Sequence, residues 1–67
     1  MKFVTKTDAK TEFQNSGIFE MFYDITEEQE EQLIELIWKE DSLKYGAERF
    51  ITEVLGQRTS DYNIQER

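Results

Sequence analysis

The chain contains neither cysteine nor histidine. Disulfides, thiolate chemistry, structural zinc and imidazole bases are therefore excluded together. For 67 residues this is a severe constraint. Domains of that size bury only about 60% of the surface their unfolded chains expose. The usual remedies are a disulfide, a metal or oligomerisation. Dense packing or self-association is what remains, so a monomer or a homodimer is expected. Five Phe, three Tyr and one Trp supply the packing material, each ring burying roughly 150–250 Å². The expected organisation is a single small domain over residues 1–67.

The charge is segregated. Between Glu20 and Asp41 stand nine carboxylates and one base, Lys39, a formal −8, whereas the other positions hold six acids and seven bases. The net −7 thus resides in one third of the chain, and charge so concentrated creates a surface field that selects partners. The seven bases outside it, Lys2, Lys6, Lys10, Lys44, Arg49, Arg58 and Arg67, form no stripe. Direct nucleic-acid binding and attraction to anionic membranes are both disfavoured. No apolar run approaches the ~20 residues that span a bilayer. Met1 to Lys6 lacks the apolar stretch of a signal peptide. A soluble, cytoplasmic protein is expected.

Periodicity divides the chain into four parts. Residues 2–5, with Phe3 and Val4, read as an edge strand. A polar stretch follows, in which Asp8 is an acceptable N-cap for a single helical turn and Asn15-Ser16-Gly17 reads as a turn. Residues 18–25 are aromatic and follow a glycine, which favours a second, antiparallel strand. Its core face would hold Phe19, Met21, Tyr23 and Ile25, leaving Phe22 outward between Glu20 and Asp24. Thr26-Glu27-Glu28-Gln29 matches a capping box and opens a helix over about 27–40. Leu33, Leu36 and Ile37, with Ile34 at the edge, line its apolar stripe; Glu27, Glu28, Glu31 and Glu35 fall opposite. Asp41-Ser42 offers a second N-cap for a helix over about 43–55, carrying Leu43, Ala47, Phe50, Ile51 and Val54 at helical spacing. Within it Lys44–Glu48 and Arg49–Glu53 are i,i+4 ion-pair candidates. Gly46 permits close approach of a neighbour, and Gly56 sits where a left-handed C′ residue belongs. Residues 57–67 read as a polar, frayed tail, with a terminal strand at Tyr62 and Ile64 as the lesser alternative. The fold class so derived is α+β: two short antiparallel strands covered by two helices.

No catalytic residue is assigned. Ser16, Ser42 and Ser60 sit in turns or caps, and carboxylates on an exposed helix lack the burial that shifts a pKa. No cofactor or metal is assigned either. Asp24, Glu27 and Glu28 are oxygen ligands close in sequence, but their spacing is not that of a calcium loop.

Binding is the function class that survives. Acids in the first turn of the 27–40 helix complement its dipole, which accounts for Glu27, Glu28 and Glu30. It leaves Glu31, Glu35, Glu40 and Asp41 unexplained, and like charges four apart oppose the helix. Glu27 to Glu35 spans roughly 12 Å at 1.5 Å per residue. Five carboxylates in that length approach the charge density of duplex DNA, one per ~1.7 Å. Glu20, Asp24, Glu27, Glu28, Glu31 and Glu35 are therefore assigned as a partner-binding face. Trp38 stands at the seam of the acidic and apolar sides, either as a binding anchor or as a lid on the core, and Phe22 is its outward companion. The expected partner is a basic, nucleic-acid-binding host protein inhibited by DNA mimicry. Small, acidic composition without Cys or His is common among phage-encoded proteins that disable host machinery, an analogy of composition only. The alternative is a regulatory or structural subunit that binds through Phe22, Trp38 and an edge strand, with the acids serving solubility.

Overall fold

Two threonines open the two longest helices by the same device. In the computed structural model, which describes residues 3–62, helix α1 covers Lys6–Gln14 and helix α3 covers Glu27–Glu40. At the start of α3 the Gln29 amide donates to Thr26 Oγ1 (3.1 Å), and the Thr26 amide donates to Gln29 Oε1 (3.0 Å). At the start of α1 the Asp8 amide donates to Thr5 Oγ1 (3.2 Å), and the Thr5 amide donates to Asp8 Oδ2 (3.1 Å). Each box satisfies two orphan donors of a helix start. Asp8 is thus the third residue of α1 rather than its cap.

Between them lies helix α2, a single turn over Ile18–Met21. Helix α4 spans Leu43–Arg49 and runs on as a π-helical turn over Phe50–Val54, and a 3₁₀ turn covers Thr59–Asp61. No strand occurs among the described residues. The expected α+β architecture is therefore wrong, and the fold is all-helical.

The reason lies in residues 18–25. Their apolar members also sit at i, i+3, i+4 and i+7, namely Ile18, Met21, Phe22 and Ile25, which is helical spacing. That set turns inward: Ile18 and Phe22 are each 4% exposed, and Met21 and Ile25 pack partly buried against the core. Tyr23, assigned inward on a period of two, is 85% exposed, and Phe19 is 42% exposed. The other expected strand, 2–5, is a plug. Phe3 is buried, Val4 is exposed, and the Phe3 amide donates to Asp41 Oδ1 at 2.8 Å; Lys2 lies outside the described residues.

Helix α3 is central and packs on both α1 and α4. It buries Leu33, Ile34 and Ile37, so its inner face is rotated toward Ile34, with Leu36 at the edge rather than the centre. Across from it lie Ala9 and Phe13 of α1 and Leu43, Ala47, Phe50 and Ile51 of the fourth helix. Burying a side chain of this size stabilises by roughly 1.5–3 kcal/mol, and twelve apolar residues form the cluster. Phe22 packs edge-on to Phe50 and stacks on Tyr62, both at 5.5 Å between centroids. Tyr62 also donates to Gln57 Oε1 at 2.6 Å, so the segment after α4 folds back onto the core. Ile64 lies outside the described residues.

Two tight corners join the helices. Asp41 takes a left-handed conformation (φ 53°) and ends α3, and Ser42 caps α4 by accepting from the Tyr45 amide at 3.3 Å. Helix α4 then approaches α3 so closely that a Cβ on Gly46 would lie 2.4 Å from Ile37 Cα. At the far end Gly56 adopts φ 66°, and the Gln57 amide donates back to the Ile51 carbonyl at 2.9 Å. Within the π turn Thr52 Oγ1 donates to the carbonyls of Glu48 (3.0 Å) and Arg49 (3.2 Å), a back-bond of the kind that often bends helices.

Candidate functional site

The acidic segment divides into an open part and a self-paired part. Glu20 on α2, Asp24 in the turn after it, and Glu27 and Glu28 in the first turn of α3 are exposed. None of these four makes an ion pair among the described residues. They follow one another over nine positions of chain, on α2, the turn after it and the first turn of α3. Glu27 and Glu28 lie in the first turn of α3, where a negative charge meets the positive end of the helix dipole and stabilises the helix.

Glu31 and Glu35 are different. Lys6 Nζ on α1 lies 2.9 Å from Glu31 Oε2, and Lys39 Nζ lies 3.2 Å from Glu35 Oε1. The hydrogen bond from Lys6 holds the Glu31 carboxyl below the usual carboxylate range, and the charges of Lys6 and Lys10 add to it against a smaller opposing effect of desolvation. Reciprocally, the bond to Glu31 raises the Lys6 ammonium above its ordinary value; the charges of Glu31 and Glu35 assist. The row Glu27–Glu31–Glu35 is thus not a ladder of bare like charges. Its internal repulsion is relieved at two of three positions, which corrects the inference that the row opposes its own helix.

A second cluster closes the far end of α3. Arg49 donates through Nε and Nη2 to Glu53 (2.6 and 3.2 Å) and through Nη1 to Glu40 (2.9 Å). These bonds raise the arginine further above its already high value, Glu53 contributing most, and lower the Glu53 carboxyl. The i,i+4 pair expected at Arg49–Glu53 is present. The one expected at Lys44–Glu48 is not seen among the described residues: Lys44 Nζ lies 5.8 Å from the Tyr45 ring centroid, and Glu48 Oε1 is shielded without a hydrogen-bond partner.

Of the two aromatic residues assigned to the binding face, Phe22 is buried and Trp38 is half-buried against the core. Phe22 therefore joins the core and not a surface. The apolar-patch alternative loses Phe22 and its edge strand together. Its place is taken by Phe19 and Tyr23, which are exposed and flank Glu20. Helical spacing across 18–25 is the signal that finds them. No sequence signal finds the Lys6–Glu31 pair, whose members are 25 positions apart.

A surface groove of about 320 Å³ runs between α3 and the π turn, lined by Gln32, Glu35, Leu36, Lys39, Glu53 and Val54. The seryl hydroxyls serve the backbone: Ser42 caps α4, and Ser16 Oγ donates to the Phe13 carbonyl at 2.7 Å. Among the described residues no group of three or more acids is placed to hold a metal ion, so Asp24, Glu27 and Glu28 are not gathered into a ligand set. No helix among them is long and apolar enough to cross a membrane.

No known protein family, curated protein or solved structure matches this chain.

Proposed function

We propose that this protein is a non-enzymatic binding protein that offers an acidic, aromatic-bearing surface to a basic protein partner, one that itself binds nucleic acid. The observation that carries the reading is a run of open acids along α2, the turn after it and the first turn of α3. Glu20, Asp24, Glu27 and Glu28 are exposed without an ion pair among the described residues, and Phe19 and Tyr23 stand exposed beside them. Tyrosine is enriched among residues that dominate binding energy, and surrounding charge steers encounter.

The internal pairs change the kind of mimicry proposed. Counting Lys6 and Lys39 against the five acids from Glu27 to Glu35 leaves a net −3 over roughly 12 Å. That is one charge per ~4 Å, near the 3.4 Å phosphate spacing of one strand and well below that of the duplex. A groove that tracks a single phosphate backbone suits this surface better than one that clasps both.

The test is a capture experiment on the intact protein. Reversal of Glu20, Asp24, Glu27 and Glu28 to lysine abolishes partner recovery while circular dichroism stays helical. Recovery falls sharply between about 50 and about 300 mM salt, as contacts beyond a shrinking Debye length are screened. A single-stranded oligonucleotide competes for the captured partner. A partner that is retained by the reversed variant, or is indifferent to salt and oligonucleotide, refutes the proposal.

A further inference from the structure

The Tyr62 ring lies almost flat on Phe22, with 21° between the two planes. We propose that Tyr62 is the resident occupant of a phenol-binding slot, carried on a strap that swings out to admit a tyrosine side chain of a partner protein. The slot is separate from the open acids, and its test does not depend on them.

The slot consists of one aromatic face and one acceptor. Phe22 is 4% exposed with the Tyr62 ring in place, and Phe50 packs edge-on against it at 88°. Gln57 Oε1 accepts from the Tyr62 hydroxyl at 2.6 Å. A ring face with an acceptor at the far end of the stacked ring favours a phenol over a plain benzyl side chain. The chain's own closed form thus shows which side chain the slot takes.

The strap that carries Tyr62 is held locally. Its root is anchored, because the Gln57 amide donates to the Ile51 carbonyl at 2.9 Å. Beyond that root, residues 58–62 make no hydrogen bond to the helices among the described residues. The Tyr62 amide donates to the Thr59 carbonyl at 3.0 Å, inside the strap, and its hydroxyl reaches only Gln57. Arg58 and Ser60 are exposed, whereas Thr59 and Tyr62 are half-buried. Segments with so few ties open without unfolding the body. A ring pair and one exposed hydrogen bond favour closure by about ten- to a hundredfold, which leaves ~1–10% of molecules open. Phe22 belongs to the core and Gln57 to the anchored root, so both recognition elements stay behind when the strap leaves. Tyr62 therefore blocks its own slot, and an incoming tyrosine binds in proportion to the open fraction.

The probe is p-cresol, the tyrosine side chain cut at Cβ. In the full chain carrying Tyr62→Ala it is expected to shift the Phe22 ring and Gln57 side-chain amide resonances. It binds there about two- to tenfold tighter than toluene, the range of one neutral hydrogen bond. In the parent chain the same shifts require about ten- to a hundredfold more p-cresol. Acetyl-Gly-Tyr-Gly amide displaces p-cresol from the variant. Tyr62→Ala lowers the urea midpoint less than Phe22→Ala does. Native-state hydrogen exchange of the parent chain needs no variant: the Gln57 amide opens with the urea dependence of the body, and the Tyr62 amide opens without it. If p-cresol misses Phe22 in Tyr62→Ala, or toluene binds equally well, the phenol slot is overturned. Equal p-cresol affinity of parent and variant overturns the blocking role of Tyr62. A slot that takes p-cresol and excludes the peptide overturns a partner's tyrosine as occupant. A Tyr62 amide that exchanges only with the whole body, or a midpoint loss equal to that of Phe22→Ala, overturns the strap.

Discussion

Substituting each glycine by alanine separates three physical situations with one chemical change. At Gly46 an added Cβ would lie 2.4 Å from Ile37 Cα, 2.7 Å from Ile37 N and 2.7 Å from Ile37 Cγ1. Carbon atoms rest at about 3.5–4.0 Å, so the overlap exceeds about 1 Å and falls mainly on backbone that cannot rotate away. Helices α3 and α4 must separate by a comparable distance. A gap of ~0.5–1 Å forfeits a quarter to a half of each dispersion contact, here between the Leu33–Ile37 face and Ala47, Phe50 and Ile51. Overpacking of this kind costs about 1–3 kcal/mol, sometimes more. Alanine's better helix propensity returns about 1 kcal/mol. Because the overlap falls on backbone the cost belongs at the upper end of that range, about 3 kcal/mol, and the net expectation for Gly46→Ala is a loss of about 2 kcal/mol, a large part of the ~3–10 kcal/mol typical of a chain this short. Gly56→Ala pays instead for a left-handed backbone at φ 66°, about 1–2 kcal/mol. Gly17 has nothing within 4 Å of its missing Cβ and no positive φ, so Gly17→Ala stabilises by about 0.4–1 kcal/mol through the unfolded chain. Urea midpoints of the three variants provide the assay. A Gly46→Ala variant as stable as the parent refutes the close α3–α4 approach, and with it the packing on which the fold rests.

Three other outcomes are expected. Thr26→Ala removes the capping box of α3 and costs about 1 kcal/mol, read from the urea midpoint; Thr5→Ala does the same for α1, and no change in either refutes the boxes. Phe22→Ala costs about 3–5 kcal/mol as a core truncation, whereas Tyr23→Ala stays within about 0.5 kcal/mol; the reverse order would restore the strand reading of 18–25. The third concerns pH. Glu31 and Glu53 titrate below the ordinary carboxylate range, so their contribution is complete above their unfolded pKa and is lost as pH falls through the lower folded value. Lys6 is raised, so its contribution is complete below its unfolded pKa and is lost only as pH climbs through the higher folded value. Thermal melts of Glu31→Gln should show a shallower loss of stability below about pH 4 than the parent, and parallel acid limbs refute the Lys6–Glu31 assignment.

The parts of this fold that were legible in the sequence are those governed by neighbours in the chain. Thr26-x-x-Gln29, Ser42 and Gly56 mark their helix ends through local hydrogen bonds and backbone sterics, and helix α3 spans Glu27–Glu40 as its pattern predicts. Thr5-x-x-Asp8 carries the same type of signature, but Asp8 is itself a good cap residue, so the local sequence fits a helix start at either position. Residues 18–25 failed for a different reason. Aromatic enrichment favours a strand, while the spacing of Ile18, Met21, Phe22 and Ile25 fits a helix equally well; only the core, which needs Phe22 against Phe50, decides between them. The acidic face failed in part because ion pairs across elements are invisible to periodicity. Lys6 reaches Glu31 only once α1 packs on α3.

That docking also alters why the open acids stand where they do. If Glu31 were bare, Glu27 four residues earlier would be repelled by it, and keeping both would argue for selection against stability. With Lys6 on Glu31 the repulsion is largely cancelled, and Glu27 and Glu28 are left with the favourable dipole of α3, about 0.3–1 kcal/mol per exposed acid at low ionic strength. The two accounts predict opposite signs. Glu27→Gln with Glu28→Gln should lower the urea midpoint in dilute buffer if the dipole prevails, and the difference should fade in high salt. A rise would mean that residual repulsion prevails and that these carboxylates are held against the fold's own interest. The same double variant in the Lys6→Met background separates the two contributions: without the lysine, Glu31 repels Glu27 again, and the cost of neutralisation should shrink or reverse. A variant indifferent to the loss of Lys6 would show that the ion pair between α1 and α3 does not set the electrostatics of the open face, and the division of the acids into a structural and an available set would fail with it.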